Sequence, residues 1–150
     1  MLKELSEFDF GMIPSLNKAK VLQLSECGYI PKSESVIMIG TPGVGKTHIA
    51  ISLGLSACRH GYKVRFYNAA GLVNEMLMAQ DGHRLSKFLD SILKHQLLII
   101  DELGFIPFTS VGAHLMFQLF SSLYERVAVI VTSNLSFSDW TQIFGDVSTF

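Results

Sequence analysis

The segment Gly40-Thr41-Pro42-Gly43-Val44-Gly45-Lys46-Thr47 constrains this chain more than any other. It matches the complete G-x-x-x-x-G-K-[ST] pattern. It also lies where that pattern has to lie, between a short apolar run, Ser35–Ile39, and a helix-like stretch from Lys46 to His60 that Gly61 ends. Glycines let the backbone curl until successive N–H groups converge on phosphate oxygens, and the helix that follows adds its N-terminal partial charge. In such a loop Lys46 meets the β- and γ-phosphates and the Thr47 hydroxyl ligates Mg²⁺. The nucleotide-binding set is Gly40 to Thr47, with His48 next on the helix, and the implied cofactors are ATP and Mg²⁺.

The rest of the chain alternates strands and helices. A helix is expected from Pro14-Ser15 to about Cys27, with Gly28 as its stop. After the loop and its helix come a strand at Lys63–Tyr67 and a helix near Ala70–Met78. Gly82 then breaks the chain, and Leu85, Phe88, Leu89, Ile92 and Leu93 fall on one helical face. Leu97–Ile100 reads as a third strand, Val111–Tyr124 as a helix and Val127–Val131 as a fourth strand. A last short helix is expected from Ser138 through Trp140. This order predicts an α/β, three-layer fold with a parallel sheet, ligands sitting at the carboxyl ends of the strands. Residues 1–34 form a helical lead-in, and 35–150 the nucleotide-binding core.

Composition narrows the function. Of the 150 residues 49% are hydrophobic, yet no apolar run approaches the roughly 18 residues of a membrane span. Runs such as Leu97–Ile100 are strand-sized and suit strands covered on both faces. With no signal-like N-terminus, a cytoplasmic location and no membrane partner are expected. The formal net charge is −1 and basic residues are scattered, so nothing in the charge pattern marks a nucleic-acid surface. Cys27 and Cys58 read as buried free thiols, and no histidine forms a ligand-like pair.

Two further motifs surround the loop. Leu97–Ile100 delivers Asp101 and Glu102 to a strand exit. Asp101 is placed to support Mg²⁺ through water, and Glu102 to accept a proton from an attacking water. Glu102 also reads as an ordinary solvated acid. Thr132-Ser133-Asn134 ends the fourth strand; either Asn134, whose amide both donates and accepts, or Thr132 would sense a γ-phosphate, or the group merely ends a strand. Asn68 is a candidate to hydrogen-bond Glu102 and restrain it. Phe8, Phe10, Tyr29 and Ile30 either line an adenine pocket or pack the core.

Gly40–Thr47, Ala57–Phe66, Leu97–Pro107 and Val131–Leu135 together resemble the IstB family, as do Phe137–Trp140 and Phe144–Asp146. That family comprises ATP-binding helpers of insertion-sequence transposition, related to DnaC-type helicase loaders within the AAA+ ATPases. The resemblance implies an ATPase that forms homo-oligomers on DNA and assists a transposase. It implies catalytic roles for Lys46, Glu102 and Asn134, and metal support from Thr47 and Asp101. It implies the sheet order 5-1-4-3-2, so that this chain would show 1-4-3-2 and lack the fifth strand and the C-terminal lid. It also implies an arginine supplied to a neighbouring subunit, and none of Arg59, Arg65, Arg84 and Arg126 occupies that position. Weak turnover by this chain alone is the expectation. The alternatives are a helicase-loader ATPase and a nucleotide-binding module without efficient hydrolysis.

Overall fold

Strands as apolar as Leu97–Ile100 and Val127–Val131 can leave neither face wet, so they need helices on both sides. The computed structural model describes residues 18–40, 45–104 and 109–134. They form α1 (Lys18–Leu24), β1 (Ser35–Ile39), α2 (Lys46–Arg59), β2 (Val64–Asn68), α3 (Ala69–Asp81), α4 (Leu85–Leu93), β3 (Leu97–Leu103), α5 (Ser110–Leu123) and β4 (Ala128–Ser133). The sheet order is β1-β4-β3-β2 and every neighbouring pair is parallel, as expected.

Successive strand residues point to opposite faces, and each face has its own core. Leu97, Ile99, Ala128 and Ile130 pack with Val21 of α1 and with Ile49, Ala50, Leu53 and Ala57 of α2. Leu98, Ile100, Val129 and Val131 pack with Leu72 and Met76 of α3, Leu89 and Ile92 of α4, and Leu115 and Leu119 of α5. The face of α4 expected from Leu85, Phe88, Leu89, Ile92 and Leu93 belongs to this second core. No helix among the described residues is long and apolar enough to cross a membrane.

Several boundaries move, for local reasons. β3 runs on to Leu103 and β4 to Ser133, so Asp101, Thr132 and Ser133 are buried strand residues. Sequence pattern ends a strand where apolar residues end, but here the polar side chains satisfy one another inside the sheet. The turn after α1 is left-handed at Cys27 (φ 66°), and Gly28 is not the residue that takes that conformation. Cys27 is 2% exposed, and its Sγ lies 3.7 Å from His60 Nδ1, so packing against the end of α2 holds it there. Burial raises the pKa of its thiol. Cys58, expected to be buried as well, is exposed, because at its place on α2 the neighbouring Ala57 takes the core-facing position. Residues 41–44, and the expected helix around Trp140, lie outside the described residues.

Two glycines in helices have opposite surroundings. A Cβ on Gly54 would come within 2.7 Å of Ile99 Cδ1 in the first core, whereas one on Gly71 meets nothing within 4 Å. Gly71→Ala should therefore stabilise the fold by about 0.5 kcal/mol, by helix propensity. Gly54→Leu should destabilise it by roughly 1–3 kcal/mol through overpacking. Urea unfolding of both variants checks the two signs.

Candidate functional site

The helix that carries the candidate residues Lys46 and Thr47 begins on a backbone conformation only glycine adopts easily. Gly45, the residue before α2, has φ 91° and ψ 13°. The first helical residue is Lys46, 9% exposed, and its Nζ donates to Gly40 O at 2.6 Å. Burial lowers the Lys46 pKa, and the nearby charge of Asp101 opposes that shift. Gly40 N in turn donates to Ser133 O at 3.0 Å, which ties the exit of β1 to the exit of β4. His48 sits half-buried one residue past Thr47, and its carbonyl accepts from Ser52 Oγ at 2.9 Å.

Thr47 and Asp101, 54 residues apart in sequence, meet directly. Thr47 Oγ1 donates to both carboxylate oxygens of Asp101 at 3.0 Å. Asp101 is 4% exposed, so its charge depends on such partners. A hydroxyl beside a buried carboxylate is a hard-oxygen pair of the kind Mg²⁺ prefers, and the donor chemistry therefore fits that ion. Thr47 and Asp101 are the residues that would hold it, next to the Lys46 ammonium.

Glu102 follows Asp101 but faces a different partner. Its backbone is left-handed at φ 64°, unusual for a residue with a Cβ and typical of functional positions. Its side chain is exposed, and Asn68 Nδ2 donates to Glu102 Oε2 at 2.8 Å. The hydrogen bond suggested by the sequence is thus present. Asn68 is also the N-cap of α3, where its Oδ1 accepts from Ala70 N at 3.1 Å. One amide serves a helix end and an acid at once.

Thr132, weighed against Asn134 in the sequence, has a place of its own. Thr132 Oγ1 donates to Asp101 Oδ1 and accepts from Glu102 N, the latter at 2.9 Å. Asn134 is exposed, directly beyond β4 and at the same end of the sheet. Tyr29 and Ile30 are buried in the core beside α2. The Tyr29 hydroxyl is buried without a hydrogen-bond partner among the described residues, and burial raises its pKa well above the ordinary phenol value. A cavity of about 750 Å³ is bounded by Val21, Tyr29, Val36, Met38 and Ile49, among others. Thr41, Pro42, Gly43, Val44, Phe8 and Phe10 lie outside the described residues.

The family model described as IstB-like ATP binding protein matches residues 1–149. A protein of Geobacillus stearothermophilus named for ATP binding in insertion sequence IS5376 is 39% identical over 96% of this chain and 57% of its own length. A Pseudomonas aeruginosa protein named in the same way for IS21 is 38% identical over 97% of this chain and 55% of its own. Among solved structures, the DnaC helicase loader superposes with a TM-score of 0.73 at 20% identity, over 85% of this chain and 77% of that one. DnaI gives 0.74 at 18% identity, over 93% and 76%. These two likenesses show the fold alone, which this chain shares with DnaC and DnaI. The chain belongs to the IstB-like ATP-binding protein family, and it spans a little over half the length of these curated relatives.

The double use of Asn68 separates by substitution. Asn68→Ala should lower stability by about 1 kcal/mol through loss of the cap. Asn68→Ser keeps a capping oxygen but no amide to reach Glu102, and should unfold within a few tenths of a kcal/mol of wild type. Denaturant titration of the two variants reads the difference.

Proposed function

With membership of the IstB-like family as the premise, we propose that this chain binds MgATP on the loop Gly40–Thr47. We propose further that Asp101 and Glu102 serve its hydrolysis in support of a transposase on DNA. The observation that carries the reading is the meeting of Thr47, Asp101 and Lys46 at one end of a parallel sheet. In this reading Thr47 and Asp101 hold Mg²⁺, which supplies charge neutralisation to the phosphates. The Lys46 ammonium moves from Gly40 O onto phosphate oxygens. Glu102, once released by Asn68, accepts the proton of the attacking water, and Asn134 contacts the γ-phosphate from the end of β4. The adenine packs on the side of Tyr29, where a cavity lies against β1 and the start of α2.

The names of the relatives, which refer to insertion sequences, favour a transposition helper over a helicase loader, since the likeness to DnaC extends only to the fold. The full-length protein is proposed to act in the cytoplasm as a homo-oligomer on DNA. A second reading, a nucleotide-binding module without efficient turnover, draws on the hydrogen bond that engages Glu102 with Asn68.

Nucleotide binding and turnover measured for three proteins separate these readings. Lys46→Ala should abolish measurable MgATP binding. Glu102→Gln should retain binding and lose about 10²–10⁴ in turnover, the usual contribution of a general base. Tight binding by wild type with no turnover, with or without DNA, would replace the hydrolase reading with the module. DNA association should weaken steeply as salt rises, as phosphate contacts do.

A further inference from the structure

At the end of β3 the sheet loses its regular ladder. From Ile100 to Leu103 β3 advances three residues while β4 advances two, from Val131 to Ser133. Asp101 and Glu102 therefore lie together opposite Thr132, in a β-bulge. A bulge leaves main-chain groups without ladder partners, and β4 side chains take up that role. Glu102 N donates to Thr132 Oγ1 at 2.9 Å, and Ser133 Oγ donates to Leu103 O at 2.7 Å. The Thr132 hydroxyl spends its own proton on Asp101 Oδ1. Thr132 is 1% exposed and Ser133 is fully buried, so water does not compete for these bonds.

We propose that Thr132 is the positioning residue for both carboxylates of the site. Its one hydroxyl fixes the Asp101 carboxylate, which faces Thr47, and holds the backbone of Glu102 in the left-handed conformation that sends its side chain towards Asn68. This rests on the roles proposed above for Asp101 and Glu102. An alternating strand would send two consecutive side chains to opposite faces. The bulge, pinned by Thr132, is what allows Asp101 to stay inside the site while Glu102 stands at its rim.

The test uses the whole chain with Thr132→Val, which keeps shape and removes the hydroxyl, and Thr132→Ser, which restores it. Affinity for a fluorescent ATP analogue is measured in EDTA and in Mg²⁺, alongside KM and kcat. Outer-shell partners of metal ligands typically contribute about 10–100-fold in metal affinity or activity. Thr132→Val should accordingly lose about 10-fold or more of the Mg²⁺-dependent gain in affinity, with EDTA affinity within about 2-fold of wild type and kcat falling more than KM rises. Thr132→Ser should recover most of that gain. In wild type, the Glu102 amide should be protected from hydrogen exchange although its side chain is exposed, a measurement that stands even if Thr132→Val fails to fold. A full Mg²⁺ gain in Thr132→Val, serine behaving as valine, or an unprotected Glu102 amide would overturn the proposal. If wild type binds MgATP without turnover, the hydrolase reading fails while the Mg²⁺ gain still decides the role of Thr132. If wild type binds no ATP, both fall.

Discussion

The buried charge of Asp101 is the constraint around which the rest of the site is organised. A carboxylate at 4% exposure is tolerable only if its oxygens are engaged, since an unpartnered buried charge costs several kcal/mol. Hydroxyls from two elements meet it, Thr47 at the start of α2 and Thr132 inside β4. That convergence requires the observed sheet order. With β4 between β1 and β3, its side chains reach the Asp101–Leu103 segment, and its last carbonyl receives Gly40 N at the exit of β1. An order without β4 beside β3 would take the Thr132 hydroxyl away from Asp101, so topology and charge burial are linked.

The sequence shows most of this organisation through two kinds of signal. Continuous apolar runs of strand length between helix-length segments predict the layers, because strands such as Leu97–Ile100 can be stable only when covered on both faces. The glycine–lysine–threonine loop predicts where the ligand end of the sheet lies, and Asp101 and Asn68 fall at that end as expected. The bulge is not visible. It depends on Thr132 and Ser133 being buried in a strand, and single-residue polarity argues for a strand end there. A signal did exist in the two adjacent hydroxyl residues closing an apolar strand in a chain with Asp-Glu closing another. Such hydroxyls are the natural partners for a bulge's unpaired groups, a use distinct from sensing a γ-phosphate or simply ending a strand. Cys27 escaped for a similar reason: intrinsic preference favours Gly28 for the left-handed turn, but packing of the Cys27 side chain decided the matter.

Asn68 shows how closely fold and proposed chemistry are joined. Its oxygen stabilises the first turn of α3, and its nitrogen engages the acid of the neighbouring strand. The pairing of Asn68 with Asp101 in the β2–β3 ladder puts it beside Glu102, so the contact follows from register. Movement of α3 relative to the end of β3 would alter the contact without any change in Glu102 itself. Local structure thereby acquires a lever on the most exposed acid of the site.

Glu102 itself is a place where local preference and global structure disagree. A left-handed conformation at a residue with a long side chain is disfavoured by about 1 kcal/mol or more, and glycine would adopt it freely. The neighbouring glycine, Gly104, also has a positive φ of 86°, so glycine was available to this turn and stands two residues further on. Thr132 and Ser133 supply the bonds that keep the strained segment in place. Conflicts of this kind are usually retained where the side chain has a use that outweighs the strain. The proposed use of the Glu102 carboxylate in hydrolysis would account for the conformation, and the bonds from Thr132 and Ser133 hold it.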